Sequence, residues 1–207
     1  MLEKTQIRIV AGSLRGRKLT CVVHEGMRPT PQMVREALFS ILGNAVPGRA
    51  FYDVFAGTGV VGLEAISRGA SRTLFIERDN RLANDIDKRL REFGVADKVQ
   101  VLRADVYRWA ERWIPPGNDP VNLFLSPPFP DLTDRADEFL GLVRTLLDKA
   151  PDESVLTIQA EDGFPIDSLP DLPAWDVRRY GRNLLLFRVK GEPVPGSSAD
   201  VEGTVES

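Results

Sequence analysis

Residues 51–190 predict a mostly parallel β-sheet with helices on both faces and an antiparallel hairpin at one edge. Three observations carry this expectation. Short apolar segments of strand length alternate with longer segments of helical periodicity. A glycine-rich turn follows the first of these strands. The fourth, Val121–Leu125, is apolar at most positions, as a central strand covered on both faces must be.

Before the alternation, Ile7–Val10 alternates, Gly12–Gly16 breaks the pattern, and Arg17–Val23 reads as extended. This is an N-terminal β-hairpin with several arginines near its turn. Thr30-Pro31 reads as a hydroxyl N-cap followed by proline at the first helical position. Met33, Val34, Ala37, Leu38, Ile41 and Leu42 then form one apolar stripe, and Gly43 is a suitable stop. The first sheet strand is Phe51–Phe55, with a helix over 60–69 behind its glycine turn. Thr73–Glu77 is the second strand. Helix 80–93 carries Leu82, Ile86, Leu90 and Phe93 on one side, with Gly94 as its stop. Val99–Arg103 is the third strand. Asp105 reads as the N-cap of a short helix whose Trp109 and Trp113, four apart, belong to the core. After a loop at 115–120 and the strand Val121–Leu125, a helix near 134–148 and a strand at Val155–Gln159 follow. Residues 165–173 are a linker. Asp176–Tyr180 and Leu184–Lys190 are two strands joined at Gly181-Arg182-Asn183.

The chain has 207 residues, 43% hydrophobic and 28% charged, which suits one sizeable core. No apolar run approaches the ~20 residues of a membrane span, and Met1–Thr5 lacks an apolar leader segment. A cytoplasmic protein without membrane contact is expected. The single cysteine, Cys21, and single histidine, His24, exclude an internal disulfide and a Cys/His zinc site. They leave only His24 for a Ser-His-Asp triad, and both residues read as structural; no metal is expected. The net charge of −3 is uneven. Residues 1–40 hold seven Lys/Arg against three acids, whereas 191–207 hold four acids and no base. A basic head can neutralise phosphates even when the whole chain is acidic. The expected organisation is a basic extension over 1–44, an α/β domain over 45–190, and a disordered acidic tail over 191–207, rich in Gly, Pro and Ser.

Asp53-Val54-Phe55-Ala56-Gly57-Thr58-Gly59-Val60-Val61-Gly62 runs from strand through glycine turn to helix. Glycine lets the backbone take positive φ and lets a ligand approach closely. Such a turn lies at the carboxyl end of the strand, where α/β sheets bind ligands. Glu77 ends the next strand, placed to accept hydrogen bonds from ribose hydroxyls. Together they describe an adenosine-type site. Gly57 to Gly62 also fits the dinucleotide fingerprint G-x-G-x-x-G, so a nicotinamide-dependent dehydrogenase competes. Asp53-x-Phe55 followed by Gly57, Gly59 and Gly62 resembles the first motif of class I S-adenosylmethionine methyltransferases. That resemblance places Asp53 near the methionine end of the cofactor and Gly57, Thr58 and Gly59 around it. Asp105 would suit the adenine amino group, besides capping its helix.

The fourth strand ends in Ser126-Pro127-Pro128-Phe129. Two prolines remove two amide donors and fix the chain sharply. The carbonyls of Ser126 and Pro127 and the Ser126 hydroxyl become acceptors for an exocyclic amine, while Phe129 offers a stacking face. The turn resembles the (Asp/Asn/Ser)-Pro-Pro-(Tyr/Phe) motif of amino-group methyltransferases. Arg8–Gly12, Arg15–Leu19, Arg28-Pro29-Thr30, Val34–Phe39, Asp53–Gly59 and Gly62–Ala65 are similar to the bacterial RsmD family. The resemblance covers roughly residues 7–190. It implies a seven-stranded Rossmann-like methyltransferase fold and methylation of guanine N2 in 16S ribosomal RNA of the small subunit, with S-adenosylmethionine as donor. It implies catalytic roles for Ser126, Pro127 and Phe129. RNA contacts would come from Arg8, Arg15, Arg17, Lys18, Arg28 and Arg35. Nothing in the sequence demands a dimer, and a monomer is expected. Family members usually carry aspartate where this chain has Ser126; serine keeps an acceptor but loses the charge. An adenine-N6 methyltransferase and a non-catalytic RNA-binding assembly factor are the alternatives.

Overall fold

In the computed structural model, residues 3–23 and 28–192 are described; His24 and the tail expected to be disordered beyond 192 lie outside them. β1 (Glu3–Arg8) and β2 (Lys18–Val23) pair antiparallel, with Arg8 opposite Lys18 beside the turn. α1 (Gln32–Leu42) stops at Gly43, as expected. Its start differs from expectation. Pro31 occupies the N-cap without a side-chain bond, and the Thr30 hydroxyl donates instead to Gln159 Oε1 at 2.7 Å. The apolar stripe is also rotated. Val34, Leu38, Phe39 and Leu42 are buried together with Arg35, while Met33 is 55% exposed. A charged residue holds a core position there, and periodicity of apolar residues alone cannot show that.

The alternation then runs β3 (Ala50–Val54), α2 (Val60–Ser67), β4 (Arg72–Glu77), α3 (Asn80–Glu92), β5 (Val99–Arg103), α4 (Val106–Arg112) and β6 (Val121–Leu125). Next come α5 (Phe129–Thr133), α6 (Ala136–Lys149), β7 (Val155–Glu161), β8 (Asp176–Tyr180) and β9 (Asn183–Val189). The five-residue α5 was not expected; too short for a periodic signal, it starts immediately behind Pro128. Asn183 belongs to β9, opposite Tyr180, so the final turn is Gly181-Arg182. The seven-stranded sheet has the order β5-β4-β3-β6-β7-β9-β8. β3 to β7 run parallel, and β9 enters antiparallel between β7 and β8.

Successive strand residues feed opposite cores, as the period of two requires. Tyr52, Val54, Leu123 and Leu125 pack with α4 and α6, where Trp113 is buried and Tyr52 meets its ring edge-on at 5.3 Å. Phe51, Phe75 and Phe124 pack with α1, α2 and α3. Ile7, Ile9, Leu14, Leu19 and Cys21 of the hairpin segment join this second core, so residues before α1 are built into the layer over the sheet.

Polar contacts complete that attachment. Glu64 of α2 has no exposed surface. Its Oε1 accepts from Val10 N at 2.8 Å and from Arg35 Nε at 3.4 Å, and Arg68 Nε lies 3.5 Å from Oε2. Arg35 also donates to the carbonyls of Thr30 (2.7 Å) and Arg8 (2.8 Å). Ser67, at the end of α2, accepts from Ser13 N through its carbonyl and from Leu14 N through its hydroxyl. Removing one member of a buried pair leaves a desolvated charge, at a cost of about 3–5 kcal/mol. Glu64→Leu should therefore lower unfolding free energy by that order in urea titrations, and Arg35→Met in the same chain should restore much of it. A Glu64→Leu loss below about 1 kcal/mol, the range of exposed pairs, would contradict this role.

Candidate active site

The carboxyl ends of the parallel strands open on one cavity of about 800 Å3. β3 has β4 on one side and β6 on the other, so the direction of winding reverses at β3. Open α/β sheets hold their ligands at such a reversal.

On the β4 side, the glycine turn is fixed by three side chains. Glu77 Oε2 accepts from Gly57 N and Oε1 from Asp79 N, both at 2.8 Å. Asp53 Oδ2 accepts from Gly62 N at 2.9 Å. Arg89 of α3 donates to the Thr58 carbonyl and, with its other nitrogen, to the Thr20 carbonyl of the hairpin, each at 3.1 Å. Gly57 takes φ +52 and borders the cavity with Thr58. Phe55 takes φ +67, a conformation costing of order 1–3 kcal/mol for a side-chain-bearing residue; its ring meets Tyr107 edge-on, centroids 6.1 Å apart. Each Glu77 oxygen keeps capacity for a further donor, because a carboxylate offers about four lone-pair sites. Asp105 caps α4 by accepting from Arg108 N at 3.1 Å and also borders the cavity.

Two glycines of the motif, Gly59 at the N-cap of α2 and Gly62 within its first turn, serve another purpose. A Cβ at Gly59 would fall 2.9 Å from Ile86 Cγ1, and one at Gly62 would fall 2.2 Å from the Phe75 ring. Gly59, expected to contact cofactor, faces helix α3 and does not border the cavity.

On the β6 side, Ser126, Pro127, Pro128 and Phe129 border the same cavity. Ser126 N donates to the Val54 carbonyl at 3.4 Å, which holds the two strand ends side by side. Among the described residues, the carbonyls of Ser126 and Pro127 accept no hydrogen bond. Phe129 is 58% exposed, so its ring is available at the cavity mouth. Behind it, Tyr107 donates to buried Asp131 at 2.6 Å, and the Arg135 guanidinium lies 4.4 Å over the Tyr107 ring. These contacts tie α5 to α4.

Several lining residues carry no motif. Gln159 Oε1 accepts from Thr30 and, at 3.5 Å, from the Ser126 hydroxyl, while Gln159 Nε2 donates to Asn183 Oδ1 at 3.2 Å. Arg182 lines the same rim. The only local sign of them is the polarity of Gln159 within β7 and of Asn183 at the start of β9.

The basic residues divide. Arg8, Arg15, Arg17 and Lys18 are exposed on the hairpin, outside the cavity lining. Arg17 lies 4.6 Å over Phe93 and donates to the Glu92 carbonyl, which also caps α3. Arg28 stands at the cavity mouth, 3.6 Å from Glu161. Arg35, expected to touch RNA, is only 2% exposed and fully engaged inside the fold.

Residues 7–189 match the family described as conserved hypothetical protein 95. The ribosomal RNA small subunit methyltransferase D of Escherichia coli (strain K12) is 32% identical over 177 residues, 84% of this chain and 83% of that protein. The protein of that name from Haemophilus influenzae is 36% identical over 129 residues, 61% of this chain and 65% of its own length. Among solved structures, Escherichia coli yhhF aligns with a TM-score of 0.71 at 28% identity, covering 91% of this chain and all (100%) of that one. An RNA methyltransferase from Salinibacter ruber, solved with S-adenosyl-L-homocysteine, shares the fold at a TM-score of 0.55 and 18% identity, covering 82% of this chain and 98% of its own.

Burial pushes the Asp53 carboxyl up to about 7; the Gly62 hydrogen bond opposes this and the Glu77 charge adds to it. Unfolded, the group returns toward 3.8. Between those values the folded chain holds a proton that the unfolded chain has lost, so this group's contribution to stability falls as pH rises from about 4 to 7. Asp53→Asn should remove that dependence. Its urea midpoint, relative to the unaltered chain, should improve between about pH 5 and about pH 8; a constant difference across that span would contradict the raised value.

Proposed function

The chain belongs to the family described as conserved hypothetical protein 95, and from that premise we propose that it is an S-adenosylmethionine-dependent methyltransferase acting on guanine N2 of 16S ribosomal RNA in the small subunit. The observation that carries the reading is a single cavity bordered both by Gly57 and Glu77 and by Ser126 to Phe129. Relatives from two bacteria are named for methylation of small-subunit ribosomal RNA.

The residues present suit the donor. Glu77 has free acceptor capacity for a ribose diol, Asp105 borders the same cavity with a carboxylate that could accept from an adenine amino group, and Asp53 lies beneath the turn, accepting from Gly62 N. A volume of about 800 Å3 falls within the range for sites enclosing ligands of this size. When bound, S-adenosylmethionine supplies a sulfonium-borne methyl group: the amine nitrogen bonds to that carbon as the carbon–sulfur bond breaks, a neutral thioether leaves, and a nitrogen-bound proton passes to water. The chain's part is positional. The two N–H groups of the amine are accepted by Ser126, through its carbonyl or its hydroxyl oxygen, and by the Pro127 carbonyl, which draws the nitrogen lone pair out of conjugation. Phe129 stacks on the base. Fixing the nitrogen in line with the methyl group supplies much of the acceleration.

The basic hairpin holds phosphate through Arg8, Arg15, Arg17 and Lys18, and Arg28 guides the strand at the mouth.

Incubation with radiolabelled S-adenosylmethionine and unmodified small subunits, followed by digestion to nucleosides, tests the reading. Labelled N2-methylguanosine is expected. Labelled N6-methyladenosine would reassign the base, and a cofactor-binding chain that transfers nothing would favour an assembly role. Phe129→Ala should slow transfer roughly ten- to hundredfold, the size of a lost base–aromatic stack, with unchanged affinity for S-adenosylhomocysteine. An unchanged rate would remove Phe129 from the site.

A further inference from the structure

A serine hydroxyl is a rotor that carries one proton and two lone pairs. Turned toward an amine, its proton confronts the amine's own protons. Turned away, it leaves only lone pairs to offer. Holding the amine through the Ser126 hydroxyl needs the second state, and serine alone does not impose it. An aspartate at this position, having no proton to place, would.

We propose that Gln159 is a positioning residue that takes the Ser126 proton on its side-chain oxygen and so makes the hydroxyl a pure acceptor for the target amine. Gln159 comes from β7, next to β6 in the sheet. Its Oε1 lies 3.5 Å from Ser126 Oγ and 2.7 Å from the buried Thr30 hydroxyl. Its Nε2 is taken by Asn183 Oδ1 at 3.2 Å, which leaves the oxygen end toward both hydroxyls. All four residues border the cavity. The Ser126 contact is long, as catalytic hydrogen bonds often are before substrate docks. Thr30 and Asn183 hold the amide from either end, so it does not turn with the substrate.

This inference rests on the proposed amine methylation, and its test separates the two. Single-turnover transfer to small subunits is measured for position 159 variants in two backgrounds, Ser126 and Ser126→Asp. With Ser126 in place, Gln159→Leu should slow transfer about tenfold, the order of one lost hydrogen bond. Affinity for S-adenosylhomocysteine and KM for the subunit should not change. Gln159→Glu keeps an oxygen toward both hydroxyls and should retain most of the rate. In the Ser126→Asp background the order should invert. Gln159→Leu should cost little there, and Gln159→Glu should slow transfer because two carboxylates face each other. If Gln159→Leu does not fold, the reversal shown by Gln159→Glu between backgrounds decides alone. Equal losses in both backgrounds, or a Gln159→Glu chain as slow as Gln159→Leu with Ser126 present, would overturn the assignment. Absence of transfer by the unaltered chain would instead overturn the parent reading, and this one with it.

Discussion

Glu64 is a carboxylate with no solvent contact, and three parts of the chain converge on it. Val10 brings the hairpin loop, Arg35 brings α1, and Arg68 brings the next turn of α2 itself. Burying such a charge is costly unless its lone pairs are met by donors and its field by an opposite charge. Arg35 meets the field, then spends its other nitrogens on the carbonyls of Thr30 and Arg8. One ion pair thus anchors three segments that have no regular hydrogen bonding to the sheet. The segment around Thr30 is among them, which is how a residue far from β7 in sequence comes to lie beside Gln159.

The same helix, α2, begins at the glycine turn and carries Glu64 in its second turn. The turn is held from three directions, by Asp53 from its own strand, Glu77 from the neighbouring strand and Arg89 from α3. Arg89 reaches the hairpin as well. The glycine turn and the N-terminal hairpin therefore share a scaffold of buried or half-buried polar contacts. On the opposite side, the short α5 is tied to α4 by Tyr107 and Asp131, so the turn bearing Phe129 is fixed at its rear.

Much of this was legible in the residues. The strands at 99–103, 121–125 and 176–180 fall where period and turn signals place them, and the Asp105 cap forms as expected. The two motif-bearing turns are local features, and the strand order brings them to one crevice. What escaped is long-range and polar. Arg35 reads as one more base in a basic region, and only the fold shows that a carboxylate twenty-nine residues away claims it. Thr30 has the chemistry of a cap and uses it on a partner 129 residues distant. Gln159 and Asn183 belong to no motif, because an amide in a strand signals nothing until its neighbours are known. The stripe of α1 is rotated because a helix facing a buried acid can place a cation in its core line.

Gly62 touches no ligand space; its missing side chain lets the first turn of α2 lie against the ring of Phe75. The third glycine of the fingerprint is thus a clearance between helix and strand, not a recognition element. A helix pressed this tightly against an aromatic on the adjacent strand calls for glycine at that place whatever nucleotide the turn holds. Selectivity among such ligands must be written elsewhere, in the acids that end the strands.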